Sequence, residues 1–324
     1  MSYILPPNAK SSILLYLDSR DADSYLAQNN GKDLFSYFQY ILKENIEIPL
    51  NQRALISLNS ATIPYSFYNI RENINDKLIY KIEDLDSGND TGTQELELPA
   101  GNYSVYSLAE LITADINSHQ DSGNLEYTFT MDYDTDKNKY LYGATNELVS
   151  SNVLRISFFF IDNERGCNIE MGFNENDTIQ LLNTDDKADR YSHNVVDING
   201  SIHGVYIRSN LVSKGTLDSQ NGTLSNILAR LPLSVQSGGI LFAEESSHKS
   251  LVDIRTINTI TIRLTDERNR ILDLNGLHFQ LCISIDFVYA ERPILLPTGG
   301  NSENNGLSFH DNKEVATRLN TRKK

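Results

Sequence analysis

Apolar residues take every second position near the end of the chain, where Leu277, Phe279, Leu281, Ile283, Ile285, Phe287 and Tyr289 are interleaved with His278, Gln280, Ser284 and Asp286. This is the period of a strand with one face in a core. Just upstream, Ile260, Ile262 and Leu264 alternate with Thr259, Thr261 and Arg263. The polar run Asp266 to Arg270 then follows, and the spacing predicts that the two strands form an antiparallel hairpin. Shorter runs of the same kind lie at Ile13 to Leu17, Phe35 to Leu42, Ile46 to Leu50, Ala54 to Leu58 and Ile63 to Ile70. They resume at Gly204 to Ser209, Asn226 to Leu233, Gly239 to Ala243 and Ile254 to Leu264.

The middle of the chain follows another pattern. Ser107 and Glu110 fit a capping box, and Leu108, Leu111, Ile112 and Ile116 share one helical face, so a helix is expected from Leu108 to about Asn117. Around it lie Glu95 to Leu98, a turn at Pro99 to Tyr103, and Tyr127, Phe129, Met131 and Tyr133 alternating into a turn at Asp134 to Asn138 before Tyr140. Strands are expected at Leu154 to Phe160 and Asn168 to Phe173, and the polar stretch 183–194 reads as a linker. The chain is thus expected to be mainly β, with an α+β module containing one short helix inserted into a larger β unit. The expected divisions are an N-terminal arm at 1–10, the β unit at 11–84 and 191–292, the module at 85–190 and a C-terminal tail at 293–324.

Composition narrows the function. The chain has 324 residues, 40% of them hydrophobic, and no run approaches the roughly 18–20 apolar residues of a membrane-spanning helix. Met1 to Pro7 is short, lacks a basic start and is broken by two prolines, so no secretory signal is expected. A net charge of −15 opposes wrapping of nucleic acid. The one departure is Lys313, Arg318, Arg322, Lys323 and Lys324 against Glu314 alone. Such tails are usually just solvated, and any contact with nucleic acid is expected at this tail alone.

Chemical motifs are sparse. Nucleophile elbows, phosphate loops and paired metal-binding histidines are all missing from the sequence. His119, His193, His203, His248, His278 and His310 stand singly, and the two cysteines, Cys167 and Cys282, are too few for a disulfide framework or a structural zinc site. Asp132, Asp134, Asp136 and Asn138 resemble a calcium loop, but Lys139 stands where its glycine belongs and Thr145 where its glutamate belongs, so a hairpin turn is expected. The pairs Glu244-Glu245 and Asp266-Glu267 read as solvated turns, and sequons begin at Asn89, Asn102, Asn176, Asn199 and Asn221. No catalytic, cofactor-binding or metal-binding residue is assigned, no cofactor is expected, and the chain reads as a structural protein, not an enzyme.

Leu15 to Asp21 (LYLDSRD), Ile46 to Leu50 (IEIPL), Leu58 to Asn69 (LNSATIPYSFYN), Pro99 to Tyr103 (PAGNY) and Thr261 to Tyr289 together span most of residues 12–290. In these segments the chain resembles the single jelly-roll penton and minor capsid proteins of virophages, polinton-like viruses and related nucleocytoplasmic large DNA viruses. The resemblance implies a jelly-roll β-sandwich, made in the host cytoplasm and located in the virion. It also implies homopentamers at icosahedral capsid vertices that contact double jelly-roll major capsid proteins and other minor capsid proteins. Two alternatives stand beside it. One is a receptor-binding or fibre-like attachment protein, with Tyr103, Tyr106, Tyr127, Tyr133, Tyr140 and Tyr142 meeting a glycan. The other is a carbohydrate hydrolase built on a β-sandwich.

Overall fold

The structure is a computed structural model that describes residues 11–119, 125–160, 164–174, 178–182, 190–200, 202–212, 216–218 and 223–289. The expected arm at 1–10, the tail at 293–324, the linker residues 183–189 and the sequons at Asn176 and Asn221 lie outside the described residues.

The chain opens with β1 (Ser11–Asp18), a 3-10 turn at Ser19–Asp21, the short β2 (Ser24–Tyr25), β3 (Gln28–Asn29) and β4 (Lys32–Asp33), and the long β5 (Tyr37–Glu47) and β6 (Gln52–Pro64). Next come β7 (Lys77–Asp84), β8 (Gln94–Glu97), α1 (Val105–Ser118), β9 (Tyr127–Asp134), β10 (Lys139–Asn146), β11 (Leu154–Phe159) and β12 (Thr178–Leu182). The last third supplies β13 (Gly204–Ser209), β14 (Thr216–Asp218), β15 (Thr223–Ser225), β16 (Ile227–Pro232), β17 (Ile240–Ala243), β18 (Ser250–Val252), β19 (Thr256–Thr265) and β20 (Gln280–Tyr289).

Strands from the two ends of the chain interleave. One sheet has the order β1-β20-β6-β17, with β18 also on β6, and another has the order β16-β13-β19-β5-β2. The pairings nest: β1 with β20, β5 with β19, β6 with β17 and β18, and β13 with β16, each antiparallel. This is jelly-roll topology, a β-sandwich whose two inner faces share one core. Leu17, Ile56, Leu58, Ile63 and Ile283 meet Phe38, Ile207, Ile260, Ile262 and Leu264 there.

The expected hairpin of β19 with β20 does not form. Both edges of β19 are already taken, by β5 and β13, whereas β20 sits between β1 and β6 in the other sheet. Residues 266–279 instead cross the end of the sandwich, burying Leu272, Leu274 and Phe279 in its core. Sequence alternation records which face is buried, and it says nothing about which neighbour supplies the hydrogen bonds. Of the runs read as two strands at Ala54 to Leu58 and Ile63 to Ile70, the first and the opening Ile63 and Pro64 of the second belong to the single β6, while Tyr65 to Asn69 lie in no strand. Ala54, Ile56 and Leu58 point inward and then Ala61 and Ile63 do, so the inward positions change parity mid-strand and the period breaks while the strand continues.

Between β6 and β13 the chain builds a second core. Its four-stranded sheet runs β12-β11-β7-β8, and β9 and β10 form a separate hairpin. Tyr80, Phe129, Tyr142, Phe158 and Ile156 pack with Leu108, Ile112 and Ile116 of α1. The helix starts earlier than expected: Ser104 is its N-cap, and Ser107 occupies the third helical position, returning the reciprocal capping bond. The strand expected at Asn168 to Phe173 is a turn, closed by Met171 N–H to Cys167 O (3.0 Å) and Phe173 N–H to Asn168 O (2.7 Å), with Gly172 at φ +80°. The described end of the expected linker is packed: Ser192 is buried and its N–H donates to Tyr140 O (2.8 Å).

Two cores of this size should be separable by truncation. Ile262→Ala is expected to cost about 2–5 kcal/mol and Phe158→Ala about 3–5 kcal/mol. In calorimetry each substitution should lower its own transition and leave the other in place, whereas one merged transition displaced by both would show that the two cores unfold together.

Candidate functional site

The chain leaves the first core for the second through an irregular segment, residues 69–76, whose backbone is held by short amide side chains. Asn69 Oδ1 accepts from Tyr103 N (2.9 Å), and its Nδ2 donates to Tyr103 O (2.8 Å). Asn75 Oδ1 accepts from Arg71 N (2.8 Å), while its Nδ2 donates to Asn69 O (2.8 Å) and to Glu170 Oε1 (2.7 Å). Buried polar backbone needs such partners.

This segment brings Arg71 to Asp266 in the β19–β20 crossing. Both terminal nitrogens of Arg71 reach Asp266 Oδ2 at 3.1 Å, and Arg270 Nε reaches the same oxygen at 2.6 Å. Asp266 Oδ1 accepts from the backbone N–H groups of Arg268 (3.0 Å) and Arg270 (2.9 Å). Asp266 is completely buried, so the expectation that it lies in a solvated turn is corrected. A buried carboxylate is stable here because two guanidiniums and two amides surround it. Burial, followed by the neighbouring Arg270, makes the Arg71 guanidinium more acidic than usual.

A cleft of about 330 Å3 adjoins this cluster, with Glu164, Glu170, His203 and Glu267 among its lining. Burial pushes the Glu170 carboxyl up from 4.5 to about 7, against the hydrogen bond from Asn75. His203 Nε2 lies 2.7 Å from Asp197 Oδ2, and the His203 backbone N–H donates to Glu267 Oε1 (2.6 Å). Among the described residues no group of three or more His, Cys, Asp or Glu could hold a metal ion. The cluster fixes where the chain crosses between the cores, and its chemistry is that of a lock.

A second surface is apolar. On β1, Ile13, Leu15 and Leu17 face the first core, while Leu14 (46% exposed) and Tyr16 (78%) face outward. On β17, Leu241 faces inward and Ile240 (60%) and Phe242 (64%) outward. A groove of about 440 Å3 runs along this face beside Tyr16, over Ser60, Thr62 and Cys282. Antiparallel sheets usually present polar side chains on the face turned from the core, and large apolar groups there mark contact surfaces.

The remaining sequence candidates resolve into packing. Tyr127, Tyr140 and Tyr142 are buried, and their hydroxyls donate to Ile116 O (3.1 Å), Val105 O (2.7 Å) and Met171 O (3.1 Å). Tyr106 stands half-exposed, edge-on to Tyr133. Residues 134–139 form the tight turn of the β9–β10 hairpin, with Asp134 Oδ1 accepting from Asp136 N and Lys137 N. Glu244 and Glu245 are exposed. Cys167 and Cys282 are both buried and free, and burial pushes the Cys167 thiol well up. His278 stacks on Phe35 and meets Ser19 Oγ at 3.0 Å.

With this geometry in hand, the chain is similar in fold to the crystal structure of the mavirus penton protein. The two share 13% identity with a TM-score of 0.52, over 86% of this chain and 100% of that one. Scans of family models and of curated proteins give no match. Among the described residues no helix is long and apolar enough to cross a membrane.

Two substitutions test the lock. Asp266→Asn, which leaves two guanidiniums facing a neutral amide, is expected to cost about 3–5 kcal/mol in urea unfolding. A loss under 1 kcal/mol would show that the buried charge is dispensable. Glu170 gives the pH test. The folded chain keeps a proton that the unfolded chain releases between pH 4.5 and about 7. Stability should therefore fall as pH rises through that window, by about 3 kcal/mol in all, and level off above it. Glu170→Gln should flatten this slope, and an unchanged slope would assign it to other groups.

Proposed function

We propose that this chain is a structural shell protein of a virophage-type virion, a penton that forms homopentamers at icosahedral vertices and meets the surrounding major capsid proteins. The observation that carries the reading is the jelly roll with a second core between β6 and β13, similar along its length to a penton protein. A sandwich with both inner faces filled is a rigid wall element, and its outward apolar face suits burial against neighbours. The role is mechanical, carried by surfaces and not by a reacting group.

Within this reading the inserted module starts before β7, not at residue 85, because Leu78, Tyr80 and Ile82 pack in the second core. It extends to about residue 198, and the jelly roll comprises the segments on either side. The basic residues of 313–324 serve a contact between subunits. The attachment alternative is weakened by the burial of Tyr127, Tyr140 and Tyr142, the aromatics it would need at the surface.

The native mass of the purified protein, read by mass spectrometry and by class averages of stained particles, is expected to be that of five chains in a closed ring. A trimer would favour attachment, and a single chain at every concentration would contradict a ring-forming role.

A further inference from the structure

The crossing of residues 266–279 covers the first core at one end of the sandwich, and the other end is open. Along β1 the inward side chains pass from buried Leu17 to half-buried Leu15 and Ile13. Along β20 they pass from Ile285 (0% exposed) through Phe287 (8%) to Tyr289 (58%). Because Ser11 lies opposite Phe287, both gradients run toward the same end. On the facing sheet, Ile46 of β5 is half-buried against the same core. There β5 bulges: Leu42 to Asn45 stand opposite Asn258 alone, between the Ile41–Thr259 and Ile46–Ile257 pairs, which bends the strand. A groove of about 410 Å3 lies at this end, with Ser11, Ile13 and Phe287 on one wall and Glu44, Ile46 and Glu47 on the other.

Residues 1–10, outside the described residues, join β1 at Ser11, which is itself part of the groove wall. Their sequence is MSYILPPNAK. Three apolar side chains in a row, Tyr3, Ile4 and Leu5, are followed by Pro6-Pro7-Asn8, residue types that favour a reversal of the chain. Leu5 stands six residues before Ser11, a span of about 20 Å when extended, which is ample for a segment that turns back into a groove starting at Ser11. Charge agrees with this occupant. The groove lining holds two carboxylates, Glu44 and Glu47, and no basic side chain, whereas the only charged side chain of the arm is Lys10. Tethering also gives the arm an effective concentration on the order of millimolar. A second copy, at a net charge of −15, would approach against repulsion.

We propose that the N-terminal arm turns back at Pro6-Pro7-Asn8 and sets Tyr3, Ile4 and Leu5 into this groove, completing the first core over Ile13, Ile46 and Phe287, with Lys10 turned toward Glu44 and Glu47. The occupant is the chain's own arm, held within one copy. Burial of its apolar side chains takes surface on both sides of the contact out of water, so the arm adds to the stability of the first core. The arm is then part of the sandwich wall and not a tie to a neighbour. This does not depend on the vertex reading and holds for a single chain as for a ring.

The test uses the full chain. Leu5→Ala is expected to lower the thermal midpoint of the first core by about 2–4 °C. With Ile46→Ala already in place, the further loss from Leu5→Ala should shrink by about half or more, because the two side chains share one contact. A Leu5→Ala midpoint equal to that of the wild type, or losses that add in full, would show that the arm does not pack in this groove. A double variant, Leu5→Cys with Asn45→Cys on the groove wall, reports which copy supplies the arm. Under mild oxidation it is expected to form a disulfide within one chain, read by peptide mapping. A control pairing Leu5→Cys with Glu110→Cys, exposed on α1, should stay reduced. The native Cys167 and Cys282 are buried and should take no part. A disulfide no more frequent than in the control overturns the proposal, and so does one that joins two chains, which would mean that the arm is exchanged between copies.

Discussion

Nested long-range strand pairing is the constraint on which the rest of this structure depends. Ser11 lies opposite Phe287, Tyr37 opposite Arg263 and Ala61 opposite Ala243, so the long ladders of the two jelly-roll sheets join segments far apart in sequence. Neither sheet is complete until the chain has returned from its far end, which makes folding dependent on costly loop closures. The same nesting leaves the connection from β6 to β13 free to grow, because those strands pair with partners later in the chain and not with each other. A second core of its own fills that connection.

An insertion on a two-ended connection would swing unless something fixed it, and the buried Arg71–Asp266–Arg270 cluster supplies that fixing. Arg71 belongs to the outgoing segment, while Asp266 and Arg270 belong to the crossing between β19 and β20. Burying these charges is unfavourable in itself, and the arrangement persists because the Asp266 carboxylate is met by two guanidiniums and two backbone N–H groups. The amides of Asn69 and Asn75 do the same for the backbone and link it onward to Glu170. Polar burial of this kind specifies one arrangement, where an apolar contact would permit several.

Faces were legible in the sequence, and neighbours were not. Alternation located β13 and β17 to within a residue and β1 and β20 to within three, because each has one side in a core. It failed where hydrogen bonding decides the outcome, pairing β19 with β20 when a jelly roll sends them to opposite sheets. It also missed β7 and β12, and it mistook for a strand the turn that Gly172 makes possible at φ +80°. Asp266 read as solvated because local context shows a polar turn, and the arginine that accompanies it into the interior stands 195 residues away. Of that cluster only the spacing of Asp266 and Arg270, four residues apart, left a local signal. The outward Tyr16 and Phe242 could not be told from inward ones until the sheet fixed which parity faces solvent.

The proposed vertex role calls for rigidity, a defined projection and surfaces that bind neighbours, and a wall-forming sandwich, a locked insertion and an apolar outer face are consistent with it. The measurement that tests this proposal most directly is a cryo-electron microscopy reconstruction of the virion in which the chain is proposed to reside. The account expects density for this jelly roll, with its second core attached, in five copies around each fivefold axis. Density for it elsewhere in the shell, or its absence from the particle, would contradict the assignment to the vertex.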